Sequence, residues 1–248
     1  MNNIEVAILN PTAIKEAEEM MVFCARLTQR GHNIHDMYSL MELKNSPYRD
    51  ETVKAMSNLP HPTIQKFGLI NVAIVGASRR FLAQITRHQN EVKFMSASLQ
   101  YSDYSGQAEY CVPIDIIRKG PEYVGAYLTT CGKAMDDYKA AVKCGIGNDA
   151  AGYMAPQGLR NILIISATPY QWKHMISQRI CRRNTEETRY VMLKIWKELF
   201  DKSPMFRDMG AFCMTGPCKE GKMACKDPLK HFKSPEEILK HDFKEVYQ

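Results

Sequence analysis

Leu69-Ile-Asn-Val-Ala-Ile-Val-Gly-Ala-Ser78 constrains this chain more than any other stretch, because it is the clearest strand in the sequence and ends on a glycine. It runs directly into Arg79-Arg-Phe-Leu-Ala-Gln-Ile-Thr-Arg-His-Gln89, where Phe81, Leu82 and Ile85 share one helical face, so a helix is expected there. Asn3 to Asn10 reads as a short strand and Ile162 to Thr168 as a further one. Helical spacing dominates elsewhere. It covers Thr12 to Gln29 through Ala13, Ala17, Met20, Met21 and Cys24. From Pro121 to Val142 it forms a continuous apolar stripe that includes Tyr127, Cys131, Met135 and Tyr138. Pro169 to Cys181 and Thr185 to Lys202 complete the set; the last has an acidic first turn that suits its dipole and stops before Pro204. Residues 31–64 are mostly polar with Pro-containing turns, and Ser102 to Pro113 reads as extended. The expected class is helical with a modest sheet.

At 248 residues, with 45% hydrophobic and 24% charged positions, one compact domain with appendages fits better than two equal halves. No window is long and apolar enough for a membrane span, and the N-terminus lacks the basic-then-apolar order of a secretory signal, so a cytoplasmic protein is expected. Lys and Arg number 33 against 27 Asp and Glu, a net charge of +6 that suits a phosphorylated ligand, a nucleic acid or a solvated basic surface equally well. Of the 8 cysteines, Cys24, Cys111, Cys131, Cys144 and Cys181 lie in apolar surroundings and read as reduced core thiols. Cys213, Cys218 and Cys225 crowd into the tail from Met205, which is rich in Gly, Cys, Lys and Pro and reads as an appendage. With His231 they suggest a tetrahedral zinc site, although the Cys-x2-Cys pairs of common zinc knuckles are absent. Lys219, Lys222 and Lys226 would favour thiolates there or bind an anion; the alternative is a solvated tail.

Two constellations carry candidate chemistry. Gln84, Arg87, His88 and Gln89 stand before an extended segment containing Ser98, Gln100 and Tyr101, a mixture suited to hydrogen-bonding a planar heterocycle and a phosphate. The competing reading is a helix end whose basic residues complement its own dipole. Arg179, Arg182 and Arg183 fall within five residues and suit a phosphate or carboxylate, or else pair with Glu186 and Glu187.

Taken in order, these blocks resemble the flavin-dependent thymidylate synthases, whose signature is Arg-His-Arg followed after a variable stretch by Ser-x-Arg-Tyr. Here the residues are Arg87-His88-Gln89 and Ser98-Leu-Gln100-Tyr101, with one residue more between them than the family has. Gly76-Ala-Ser78-Arg79, Gln84 and His61-Pro-Thr63 are similar to elements before the signature, and the spacing from Pro156 to Arg179 matches that from the family's proline to its pyrimidine-binding arginine. The resemblance spans roughly residues 5–205. It implies an α+β fold, α-rich with a mixed or antiparallel sheet, over 1–205, with 206–248 as a C-terminal appendage. It also implies a homotetramer binding FAD through Thr63, Arg87, His88, Gln89, His174 and Arg183, with Thr28 a further candidate. Gln84, Ser98, Gln100 and Arg179 would hold dUMP, and Arg179 would act on the pyrimidine. The implied reaction moves the methylene of methylenetetrahydrofolate to carbon 5 of dUMP, with hydride from FAD reduced by NADPH, giving dTMP.

Gln89, Gln100 and, at about Gly152, a glycine stand where the family carries cations. Arg160, Arg182 or Lys93 would then have to meet the phosphate, or the substrate is another pyrimidine nucleotide or the outcome differs, as in hydroxymethylation. A non-catalytic nucleotide- or nucleic-acid-binding protein is the reading from another class, supported by net charge and the basic tail but by no nucleic-acid motif.

Overall fold

The computed structural model describes residues 3–106, 108–218 and 220–247; Lys219 lies outside them. In chain order the elements are β1 (Glu5–Ile8), α1 (Thr12–Arg30), α2 (Met37–Asn45), α3 (Asp50–Ser57), β2 (Ile70–Ser78), α4 (Arg79–Ile85), β3 (Val92–Ser96), α5 (Ile114–Lys119), α6 (Pro121–Lys143), α7 (Asn148–Ala151), β4 (Arg160–Ala167), α8 (Pro169–Arg179), α9 (Glu186–Lys202), α10 (Phe212–Thr215) and α11 (Pro235–Asp242). The strands form one antiparallel sheet in the order β1-β2-β4-β3.

Alternation along the strands explains how the sheet is covered. Ile70, Val72 and Ile74 of β2 and Leu163, Ile165 and Ala167 of β4 are buried against α1, α8 and α9, and their neighbours turn to the other face. That other face carries Val75, Met95, Ile162 and Ile164, all exposed. α9 is the central helix, with residues from Thr188 to Leu199 largely buried; its Trp196 indole N–H donates to the Phe206 carbonyl at 2.9 Å. Trp172 of α8 likewise donates to the Ile70 carbonyl at 3.0 Å, which ties α8 to β2.

The glycine expected to stop the clearest strand does not end it, for β2 continues to Ser78, but its place has a structural reason. Gly76 sits at a register shift in β2 with φ +90°, and a Cβ there would lie 2.5 Å from the Asn3 carbonyl oxygen. Ser78 then caps α4, accepting from the Phe81 N–H at 3.1 Å, while its own N–H and hydroxyl both donate to Glu187 at 2.6 Å. The start of α4 is thereby fixed to the start of α9.

Three expectations need correction. The α4 helix stops at Ile85, so Arg87 and His88 stand in the following turn and not on the helix; the Thr86 hydroxyl folds back onto the Leu82 carbonyl, and Glu91 takes φ +52° to enter β3. β3 itself was not apparent in the sequence: its five residues become a strand by pairing with β4. Residues 206–248 are not an appendage in the packing sense. Phe206, Ala211, Leu229, Ile238, Leu239, Phe243 and Val246 are buried in the same core as the sheet, and α11 packs on α9. Among the described residues, no helix is long and apolar enough to cross a membrane.

Candidate active site

α8 begins with Thr168, whose hydroxyl accepts from the Gln171 N–H at 3.2 Å, and Pro169 at its first position. Trp172, Met175 and Ile176 face the core, which leaves Lys173, His174, Ser177 and Gln178 on the outer side. His174 Nε2 and the Gln178 amide lie 3.0 Å apart, one helical turn from each other. At the end of this helix, Arg179 reaches across to the turn after α4.

Arg179 is the hub. Its Nε–H donates to His88 Nε2 at 2.8 Å, Nη2 donates to the Gln84 carbonyl at 3.1 Å, and Nη1 approaches the Asn184 side-chain oxygen at 3.4 Å. An arginine only donates, so His88 must be neutral, with its proton assigned to Nδ1. The surroundings agree: burial, the charge of Arg179 and the nearby His174 push the His88 imidazole down to about 4. The His88 and His174 rings meet edge to face with centroids 6.1 Å apart. Arg179 remains a cation although burial and Arg87 lower its pKa, and none of its three partners is anionic. Its charge is thus uncompensated.

The Gln84 side chain is fixed from the other direction. Its Oε1 accepts from Thr185 at 2.8 Å and from Thr188 at 2.6 Å, which leaves the amide NH2 free to donate. Asn184 is held in turn, donating to the Gln178 carbonyl at 2.7 Å. Lys173, Asn184, Thr185 and Thr188 were not singled out from the sequence. The polar Asn184-Thr185 pair just before a helix was the one available signal.

On the other side of His174, a cavity of about 330 Å³ is lined by Pro62, Gln65, Tyr170, Lys173 and Ser177. Thr63 sits on the exposed turn beside Pro62 that forms part of this wall. Lys173 Nζ donates to the Ser57 carbonyl at 3.0 Å; burial, only partly offset by Asp208, lowers the amine to about 8.

The remaining candidates separate from this cluster. Ser98 accepts from the N–H groups of Gln100 at 3.1 Å and Tyr101 at 3.4 Å, so it organises its own turn, and Gln100 and Tyr101 are exposed. Gly152 packs against Leu99, where an added Cβ would come within 3.3 Å of the Leu99 side chain. Arg87, Gln89 and Arg183 are exposed around the Arg179 hub, and Thr28 binds its own helix at the Ala25 carbonyl, 2.8 Å away. Two of the proposed replacement cations are engaged elsewhere. Arg160 pairs with Glu109 and donates to the Asn3 carbonyl at 3.2 Å. Arg182 pairs with Asp227 and, at 2.7 Å, with Asp242. Lys93 is exposed on β3.

The zinc expectation for Cys213, Cys218, Cys225 and His231 is also corrected. Among the described residues, no three His, Cys, Asp or Glu side chains converge as ligands of one ion must, and the His231 ring stacks on Phe232 with centroids 4.2 Å apart.

Comparison with known proteins gives a consistent result. The model of the family described as Thymidylate synthase complementing protein matches residues 9–205. A flavin-dependent thymidylate synthase of Geobacter sulfurreducens is 26% identical over 226 residues, 90% of this chain and 94% of that protein; one from Thermococcus onnurineus is 24% identical over 172 residues, 66% and 69% of the two chains. Among solved structures, the UMP/dUMP methylase PolB of Streptomyces cacaoi, bound with 5-Br dUMP, aligns with TM-score 0.64 at 13% identity over 83% of this chain and 93% of that one. Thymidylate Synthase X of Helicobacter pylori, with FAD and dUMP, aligns with TM-score 0.60 at 16% identity over 80% and 94%. These structures share the α+β fold.

Proposed function

The chain belongs to the thymidylate synthase complementing protein family, the flavin-dependent thymidylate synthases, and on that premise we propose that it converts dUMP to dTMP using methylenetetrahydrofolate, FAD and NADPH. One observation carries this reading. Two sequence blocks 91 residues apart, Arg87-His88-Gln89 and Arg179, are joined by a direct 2.8 Å hydrogen bond, and Gln84 is held beside them by the start of α9.

The residues present suit a flavin. The cavity beside His174 has an apolar wall in Pro62 and Tyr170 and a cation in Lys173 for a pyrophosphate; Thr63 stands on the turn beside Pro62, and Arg87, His88, Gln89 and Arg183 would supply further polar contacts from the Arg179 side. When bound, the flavin supplies hydride, with NADPH as the source of electrons. The protein's own part is placement and electrostatics. Gln84, fixed through its oxygen, offers its NH2 to a pyrimidine carbonyl, and Ser98 and Gln100 stand on the loop assigned to the nucleotide. Arg179 puts uncompensated positive charge where a pyrimidine carbonyl gains negative charge as carbon 5 reacts, and being pre-positioned it needs no reorganisation in that step. No cysteine is needed as nucleophile.

A specific observation favours keeping a second substrate in view. With Arg160 and Arg182 both paired to carboxylates, the cations that would meet a nucleotide phosphate in place of Gln89, Gln100 and Gly152 are fewer than the family pattern supplies. Another pyrimidine nucleotide, or hydroxymethylation in place of methylation, fits that shortage. The apolar outer face of the sheet, with Met95 70% and Ile162 52% exposed, supports assembly with further copies of the chain, as a homotetramer. Eight unpaired thiols support a reducing, cytoplasmic setting.

The test is to titrate the FAD-loaded protein with dUMP and then add methylenetetrahydrofolate and NADPH. A flavin spectral change on nucleotide addition and a product of thymidylate mass are expected. A protein that never retains FAD ends the proposal; FAD retention with a product of hydroxymethyl mass, or turnover only with another nucleotide, moves it to the second substrate reading.

A further inference from the structure

Four of the eight thiols meet in one place that the sequence does not reveal. Cys213, Cys218 and Cys225 of the C-terminal segment line a cavity of about 440 Å³ together with Cys181, which the sequence places with the scattered core thiols. Cys181 follows α8 directly, so its wall of the cavity is fixed by the core. The opposite wall is held to it by Arg182: the residue next to Cys181 pairs with Asp227, two positions after Cys225, and with Asp242 on α11. Leu229 anchors the same segment in the core, and α10, which carries Cys213, packs against residues 229–231. The two thiol-bearing segments are thus clamped to each other independently of the thiols.

The arrangement selects among thiol chemistries. A lone zinc draws its ligands onto a single atom with Zn–S near 2.3 Å, and no three donors here converge in that way. A group of several iron and sulfide atoms instead spreads four thiolates around a body, and it is one cavity that the four cysteines line. Arg182 is already paired with Asp227 and Asp242, but Arg179 and Arg183 also line the cavity against one carboxylate, Glu220, so the walls favour a ligand set of net negative charge. The Arg183 backbone N–H also bonds the Cys181 sulfur, a contact of the kind that stabilises cluster thiolates. We propose that Cys181, Cys213, Cys218 and Cys225 ligate an iron–sulfur cluster in this cavity. The proposal rests on the four thiols and not on the flavin or nucleotide assignments, although Arg179 and Arg183 border both places.

The experiment uses the full chain, produced in iron-replete cells and purified without oxygen, with iron, acid-labile sulfide and zinc measured per chain and the reduced protein examined by electron paramagnetic resonance. Iron and sulfide in equal amounts, roughly two to four of each, are expected. Cys218→Ser alters an exposed position and should melt like the parent stripped of iron while losing most of its own; Cys181→Ser should lose it as well, and Cys144→Ser, also exposed but outside the cavity, should retain it. One zinc per chain in place of iron, no iron and sulfide retained after anaerobic reconstitution with ferrous iron and sulfide, or equal loss in Cys144→Ser would each overturn the proposal.

Discussion

Arg179 and Arg182 lie within one helical turn in sequence and border one cavity, yet their charges meet different surroundings. Arg179 bonds a neutral imidazole, a backbone carbonyl and an amide oxygen, so its charge stays available to a ligand. Arg182 faces Asp227 and Asp242, and Asp242 also takes Arg189, which is only 3% exposed and reaches Glu186 at 3.1 Å. Burial alone would raise the Asp242 carboxyl, but hydrogen bonds from His241 and Arg189 and the charges of Arg189 and Arg182 hold it below the usual carboxylate range. One arginine is surrounded by dipoles and the other by charges. The first arrangement keeps electrostatic potential for chemistry, and the second consumes it to fasten the C-terminal segment.

That contrast can be broken at either end. The largest effect expected is from Asp242→Ala, which leaves Arg182 with Asp227 alone and the buried Arg189 with Glu186 alone and should cost about 3 kcal/mol of folding free energy, the low end for breaking a buried pair. A denaturant titration that finds less than ~1 kcal/mol would show that the clamp is not structural. Next comes Arg179→Lys, expected to lower kcat/KM by roughly 10²–10³ while shifting stability by no more than ~1 kcal/mol, since no ion pair is lost. Equal activity, or a collapse in stability instead, would erase the distinction between the two regions.

His88 sharpens the comparison through pH. Its folded-state pKa of about 4 lies below the ordinary 6.5, so the unfolded chain takes up the proton first as pH falls. The contribution of neutral His88 is therefore complete above pH 6.5 and lost as pH falls towards 4, a change on the order of 3 kcal/mol that His88→Asn should flatten in a pH series of melts. Protonation of His88 in the folded protein would also remove the acceptor for Arg179, so affinity for the nucleotide should fall as pH drops through about 4. The smallest effect is expected at Lys173. Lys173→Met should weaken FAD binding by roughly tenfold, the size of one charge-assisted contact. In the parent protein, binding should decline as pH rises through about 8, where the amine loses its proton; fluorescence titration of FAD checks both.

Much of this was legible beforehand because it rests on periodicity. The β2 strand, the long helices α1, α6 and α9 and the stop before Pro204 follow from spacing and from residues that cannot continue an element. The Arg87-His88 and Arg179 blocks were visible as polar clusters of the right types. Their junction was not, because nothing local states that a turn after α4 will face the end of α8. β3 escaped for a related reason: five residues of mixed polarity form an edge strand only where β4 offers its ladder. The C-terminal segment misled through composition. Gly, Lys, Pro and Cys suggest a solvated tail, while the few apolar residues among them, Leu229, Ile238, Leu239 and Phe243, are the ones the core takes in.

By itself the sequence determined the class of the fold, the passage from strand to helix after Ser78 and the family, since dihedral freedom, hydrophobic period and motif spacing are properties of neighbouring residues. Tertiary structure alone decided which arginine kept its charge, where the proton of His88 sits and which four thiols share a cavity. Charge compensation and burial depend on groups distant in the chain, and those meet only when the sheet and helices close around them.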